Sequence, residues 1–162
     1  MESIQKKRAL VTGGNRGIGF AIAHGLLTKD YEVIITSRSF DNAKLASEKL
    51  QRKVIPIEFD VTDDRSIDQA VKTLHQKIDR LDVLINNAAV YPDNGFNILT
   101  IDRELLDSTM NANAFGAIRM VQAFLPLLEN PLMPELLTFQ AVMEHYQTYL
   151  PMSQVTAYLS WH

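Results

Sequence analysis

The sequence has no cysteine. That excludes a disulfide framework, a thiolate nucleophile and a cysteine-bound zinc. Its four histidines, His24, His75, His145 and His162, are scattered, and no two stand at a metal-ligand spacing, so no metal is expected. No apolar run approaches membrane-spanning length, so no membrane partner is expected. Residues 1–8 are charged and no apolar segment follows them, so the start is not that of a secretory signal, and a cytoplasmic location is the expectation. The net charge of −3 argues against a basic nucleic-acid face. Basic residues also run out along the chain: the last lysine is Lys77, the last arginine is Arg119, and Met120 to His162 holds neither.

What remains is 162 residues that are 46% hydrophobic, enough for one domain with a sizeable core. The organising stretch is Arg8 to Gly19. An apolar strand, Arg8–Thr12, turns on Gly13, Gly17 and Gly19 into a helix expected over Gly17–Lys29. A strand that feeds a helix through glycines exposes unpaired N–H groups at the helix start, where the helix dipole adds positive potential. That combination binds a phosphate or pyrophosphate.

Downstream the pattern repeats. Glu32–Thr36 and Val54–Phe59 predict strands, and Leu81–Ile85 predicts a fourth. Pro56 marks the third as an edge, since proline cannot donate to a ladder. Helices are expected from Ser39 or Asp41 to about Arg52, and over Asp64–Asp79. Short apolar strands alternating with amphipathic helices imply an α/β fold, a doubly wound parallel sheet with its ligand site at the carboxyl end of the first strand. Residues 91–97 predict a loop, Arg103–Leu128 one long helix, and Glu135–Leu150 a further helical stretch where another strand would be due. On that pattern the fourth strand would be an exposed edge.

Thr12-Gly-Gly-Asn-Arg-Gly-Ile-Gly19 resembles the cofactor loop of the short-chain dehydrogenases/reductases, Thr-Gly-x-x-x-Gly-x-Gly. Asn86-Asn87-Ala88-Ala89 is similar to that family's Asn-Asn-Ala-Gly, with Ala89 in place of glycine, and Asp60-Val61 resembles its Asp-Val pair. Asn113-Ala-Phe-Gly116 resembles the segment around its helix asparagine. The resemblance runs from about residue 7 to 128, towards carbonyl-reductase-like members. It implies a Rossmann-type dinucleotide-binding domain over residues 1–128, with a divergent tail over 129–162 packed on it.

The resemblance further implies a nicotinamide cofactor held by Thr12, Gly13, Asn15, Arg16, Gly17, Ile18, Gly19, Arg38, Asp60, Val61, Asn87, Ala88 and Ala89. In this reading Gly13 makes the turn, Gly17 admits the cofactor and Gly19 lets the helix approach the sheet. Arg16 and Arg38, with no acidic residue at the end of the second strand, suit a 2′-phosphate, which favours NADP(H) over NAD(H). The bland reading leaves both as solvated surface charge. Asp60 serves the adenine, caps the turn at Thr62–Asp64, or does both. Asn113 either helps hold a proton-relay water or simply bonds to backbone, with Asn111 as a rival.

Pro151-Met-Ser-Gln-Val-Thr-Ala-Tyr158 resembles the approach to the family's proton-donating tyrosine. His162 stands where that tyrosine's lysine partner belongs, and no β-rich run before Tyr158 ends in serine. Two functions are therefore carried forward. One is an oxidoreductase passing hydride between NADP(H) and a small carbonyl or alcohol. The other is a catalytically inactive nucleotide-binding fragment, truncated or rearranged after about residue 128. The long helix, apolar around much of its circumference, and the exposed fourth strand point to self-association as a homo-oligomer.

Overall fold

In the computed structural model, residues 6–92 and 100–128 are described, together with the backbone of Glu135–Thr138. Five strands form one parallel sheet in the order β3-β2-β1-β4-β5. They are β1 (Arg8–Val11), β2 (Glu32–Ser37), β3 (Val54–Glu58), β4 (Val83–Asn86) and β5 (Glu135–Thr138). The strands alternate with α1 (Gly17–Thr28), α2 (Phe40–Lys49), α3 (Asp64–His75), and the pair α4 (Arg103–Met110) and α5 (Gly116–Phe124).

Side-chain alternation divides the core. Ala9, Val11, Val33, Ile35, Val83 and Ile85 point to the face covered by α1 and α2. Leu10, Ile34 and Leu84 point to the face covered by α3 and α5, where Phe124 meets Phe59 with ring centroids 6.3 Å apart. Residues one apart along a strand thus serve opposite layers, which is why the middle of each central strand is apolar on both faces. The register of β1 is pinned at its start. The Arg8 backbone N–H donates to Asp82 Oδ2 at 2.7 Å, and the Asp82 N–H returns a bond to the Arg8 carbonyl at 2.9 Å. The Arg8 side chain pairs with Glu32 at 2.8 Å and with Asp79. Its bond to Glu32 holds the guanidinium pKa above its ordinary value, partly countered by burial and reinforced by Asp79.

Several expectations change. Glu135–Thr138 is a strand, not the start of a helix, and it pairs in parallel with β4 from Val83↔Glu135 to Asn86↔Thr138. Leu136 and Leu137 are therefore ladder residues, opposite Leu84 and Ile85. In consequence β4 is not an exposed edge: it lies between β1 and β5. The long helix is one rod with a fault. A π turn, Asn111–Phe115, separates α4 from α5, and a 3-10 turn, Leu125–Leu127, closes it around Pro126. Asp102 caps α4 by accepting from Glu104 and Leu105 N–H. Neither Ser39 nor Asp41 caps α2 through its side chain; Glu58 on β3 accepts the Phe40 N–H instead, at 2.9 Å. Pro56 does sit on an edge strand, opposite Ile35. The loop expected over residues 91–97 lies mostly outside the described residues, as does the chain beyond Thr138.

Phe124 is fully buried between α3, α5 and the sheet. Phe124→Ala is expected to destabilise the fold by about 3–5 kcal/mol, read as a lower urea midpoint with unchanged slope.

Candidate functional site

The end of β1 is joined to the end of β4 by one buried hydroxyl. Thr12 Oγ1 accepts from the Asn87 N–H at 2.9 Å and from the Ala88 N–H at 2.8 Å, and donates to the Ile85 carbonyl at 3.3 Å. Asn87 reciprocates: its Nδ2 donates to the Thr12 carbonyl at 2.9 Å and reaches the Gly13 carbonyl at 3.4 Å. Gly13 N–H in turn donates to Thr36 Oγ1 of β2 at 3.3 Å. Three parallel strands are thus tied where they leave the sheet, and the glycine loop springs from the knot.

Two glycines of that loop need backbone that side chains disfavour: Gly13 has φ +64° and Gly17 has φ +54°. Gly19 is needed for a different reason. A Cβ there would lie 2.4 Å from Asn87 Nδ2 and 2.5 Å from the Gly13 carbonyl oxygen. The close approach expected at Gly19 is therefore to the knot, and only through it to the sheet. Gly14, which the glycine spacing does not single out, is just as constrained: its Cβ would meet Ile35 Cγ2 at 2.8 Å. No local sequence signal marks that contact, which depends on where β2 lies.

An open cleft of about 840 Å³ lies over these strand ends. Its floor is the loop from Gly13 to Gly19, with Gly17 facing open space. One wall is the end of β2, including Ser37 and Arg38, and the segment from Phe59 to Thr62. The other runs from Asn87 to Pro92 and on to α4 and Ala112 of the π turn. Of the proposed cofactor residues, Gly13, Asn15, Arg16, Gly17, Ile18, Gly19, Arg38, Asp60, Val61, Asn87, Ala88 and Ala89 all line it. Thr12 does not: it is buried beneath, holding the walls. Tyr91, Ser39 and Leu105 line the cleft as well, and nothing in their sequence context distinguishes them from surface residues.

The local chemistry can be stated side chain by side chain. α1 begins with no side-chain cap on its N–H groups, so its positive end opens on the cleft. Arg16 and Arg38 are exposed, and neither pairs with a carboxylate among the described residues. Asp60 Oδ1 accepts from the Thr62 N–H at 2.9 Å and hydroxyl at 2.7 Å, closing its own turn, while Asp63 caps α3. Asn113 bonds to backbone: Val90 N–H donates to its Oδ1 at 2.8 Å, and its Nδ2 donates to the Val90 carbonyl at 2.9 Å. Asn111 is engaged elsewhere, with Arg119. Tyr158 lies outside the described residues. Among the described residues no group of histidine or acidic side chains could hold a metal, and no helix is long and apolar enough to cross a membrane.

These are the marks of an anion-binding strand–loop–helix, and the constraint beneath it is testable. Thr12→Val keeps the side-chain shape but leaves the Asn87 and Ala88 N–H groups without their acceptor. A loss of about 2–6 kcal/mol is expected in urea unfolding, from roughly 1–3 kcal/mol for each stranded group.

Comparison with known proteins agrees with the geometry. The short chain dehydrogenase family profile matches residues 7–132. A short-chain dehydrogenase of Penicillium roqueforti is 35% identical over 133 residues, covering 79% of this chain and 52% of that protein. A 3-oxoacyl-(acyl-carrier-protein) reductase of Vibrio harveyi is 34% identical over 123 residues, covering 76% of this chain and 50% of its own. Among solved structures, a short-chain dehydrogenase from Streptomyces avermitilis superposes with a TM-score of 0.69 at 29% identity, covering 77% of this chain and 45% of that one. The chain spans about half the length of the curated relatives it matches. With the parallel sheet, the glycine loop and the matched profile all in one register, the chain belongs to the short-chain dehydrogenase/reductase family.

Proposed function

We propose that the cleft binds NADP(H) and that the chain serves hydride transfer between nicotinamide and a small carbonyl or alcohol substrate, in the cytoplasm. The observation that carries this reading is the start of α1, without a side-chain cap, opening on a cleft whose rim bears two guanidinium groups, Arg16 and Arg38, that pair with no carboxylate among the described residues. That arrangement fits an anionic dinucleotide. The backbone N–H groups of the glycine loop would hold the pyrophosphate, and Gly17 leaves room for it. Arg16 and Arg38 would hold a 2′-phosphate, and the end of β2, Thr36 to Ser39, carries no acidic residue of its own to repel it. Asp60 and Val61 would line the adenine end, and Asn87 to Ala89 would pass the ribose.

The cofactor supplies or accepts the hydride when bound. The chain's own part is to orient and to move a proton. Asn113 fixes the Val90 backbone at the cleft wall. Tyr158 would donate a proton to the carbonyl oxygen as hydride arrives at its carbon. A tyrosine does this best with a nearby cation lowering its pKa from about 10. His162 stands four residues on, where the family pattern has lysine. That substitution is the observation favouring the second reading, cofactor binding without turnover.

The exposed side chains Met110, Phe115, Ile118 and Leu125 along the α4–α5 rod favour self-association through this surface. Light scattering is expected to report a dimer or larger species, and Ile118→Glu to shift it towards monomer; a wild-type monomer at high concentration would count against it.

Fluorescence titration tests the cofactor reading. NADPH is expected to bind more tightly than NADH, and Arg38→Ala to weaken NADPH by about tenfold or more while leaving NADH within roughly twofold, the loss of one charge-assisted bond. No NADPH binding at millimolar concentration would refute both readings. Carbonyl-dependent NADPH oxidation that Tyr158→Phe abolishes would establish the first over the second.

A further inference from the structure

A helix rarely widens into a π turn without something to hold it open, because the wider ring has poorer backbone geometry and one residue too many. The turn at Asn111–Phe115 inserts that extra residue between α4 and α5, so the faces before and after it are offset by about 100°. The offset brings Asn113 onto Val90 at the wall of the cleft. The question is what stabilises the fault.

Arg119, one turn into α5, reaches back to it. Its Nη2 donates to Asn111 Oδ1 at 2.7 Å and its Nη1 donates to the Asn111 carbonyl at 3.2 Å. The same carbonyl accepts the Gly116 N–H that closes the wide ring. Its Nε lies 3.1 Å from Asp64 Oδ1 at the start of α3. Asp64 is mostly exposed, so this ion pair adds little stability, but it fixes the plane of the guanidinium with both outer nitrogens aimed at Asn111. One turn earlier on the same face of α5, Gly116 admits Val61 to a distance that any side chain would crowd: a Cβ there would lie 3.1 Å from Val61 Cγ2.

We infer that Arg119 is a positioning residue: by bonding both the carbonyl and the carboxamide of Asn111 it locks the π turn, and through it holds Asn113 on Val90 at the cleft wall. The lock consists of contacts within the described residues and stands whether or not the hydride-transfer reading does. Only its bearing on a reaction rests on that reading.

Amide hydrogen exchange of the full chain tests it, because the Val90 N–H is the donor that Asn113 protects. In Arg119→Met, Val90 exchange is expected to accelerate about fivefold to tenfold, while Leu10 and Leu84 in the sheet stay as in the wild type. Asn113→Ala is expected to give the same acceleration, and the double variant no more than either alone. Arg119→Lys, with one compact ammonium group, is expected to restore part of the protection. Asp64→Asn is expected to leave Val90 nearly unchanged. Unchanged Val90 exchange in Arg119→Met would overturn the proposal. So would acceleration of Val90, Leu10 and Leu84 together in both Arg119→Met and Arg119→Lys, which would make Arg119 a general stabiliser. NADPH titration of the same variants, compared with Arg38→Ala, separates this lock from the cofactor reading.

Discussion

The buried hydroxyl of Thr12 is the constraint on which the rest of the site depends. In a parallel sheet the strand ends leave N–H groups that no ladder partner satisfies. Here two of them, on Asn87 and Ala88, converge on one oxygen, and that oxygen lies at the root of the glycine loop. Asn87 returns bonds to the loop carbonyls, so neither segment can move without the other. The space left above Gly19 is then too small for any side chain, and the loop is held open at Gly17. The cleft is a by-product of satisfying buried polar groups at the point where strand order reverses.

Most of this could be seen in the residues themselves. The glycine spacing, the apolar strands and the helical stripes each encode local geometry that survives folding, so the first four strands and three helices lie within a few residues of where the pattern puts them. The exceptions have particular causes. Glu135–Thr138 pairs with β4 although its residues do not alternate or cluster in β-branched types, because a neighbouring strand supplies what local propensity does not. The cap of α2 comes from Glu58, a residue of a different element, which no reading of Ser39 and Asp41 could supply. The π turn has no composition of its own, and the side chain that bonds to its first residue, Arg119, lies outside the turn.

The site divides along the same line. Residues that contribute backbone shape, such as Gly13 and Gly17, announce themselves through residue type. Residues that contribute by approach, such as Gly14 against Ile35, depend on a strand distant in sequence. Asp60 shows why a motif residue has more than one use: its carboxylate closes the Asp60–Thr62 turn, and that closed turn is what shapes the cleft wall.

Pro56 has a consequence for the company this chain can keep. The Phe59 N–H donates inward to the Ser37 carbonyl, so by alternation the amides of residues 55 and 57 face β2, and position 56 faces away from the sheet. Proline has no hydrogen to offer at that outward position. An extended segment from another molecule, seeking to lengthen the sheet on the β3 side, would find a carbonyl there left without a donor. The margin of the sheet is thereby a poor template for intermolecular growth, and the protection requires neither a charged side chain nor a covering helix.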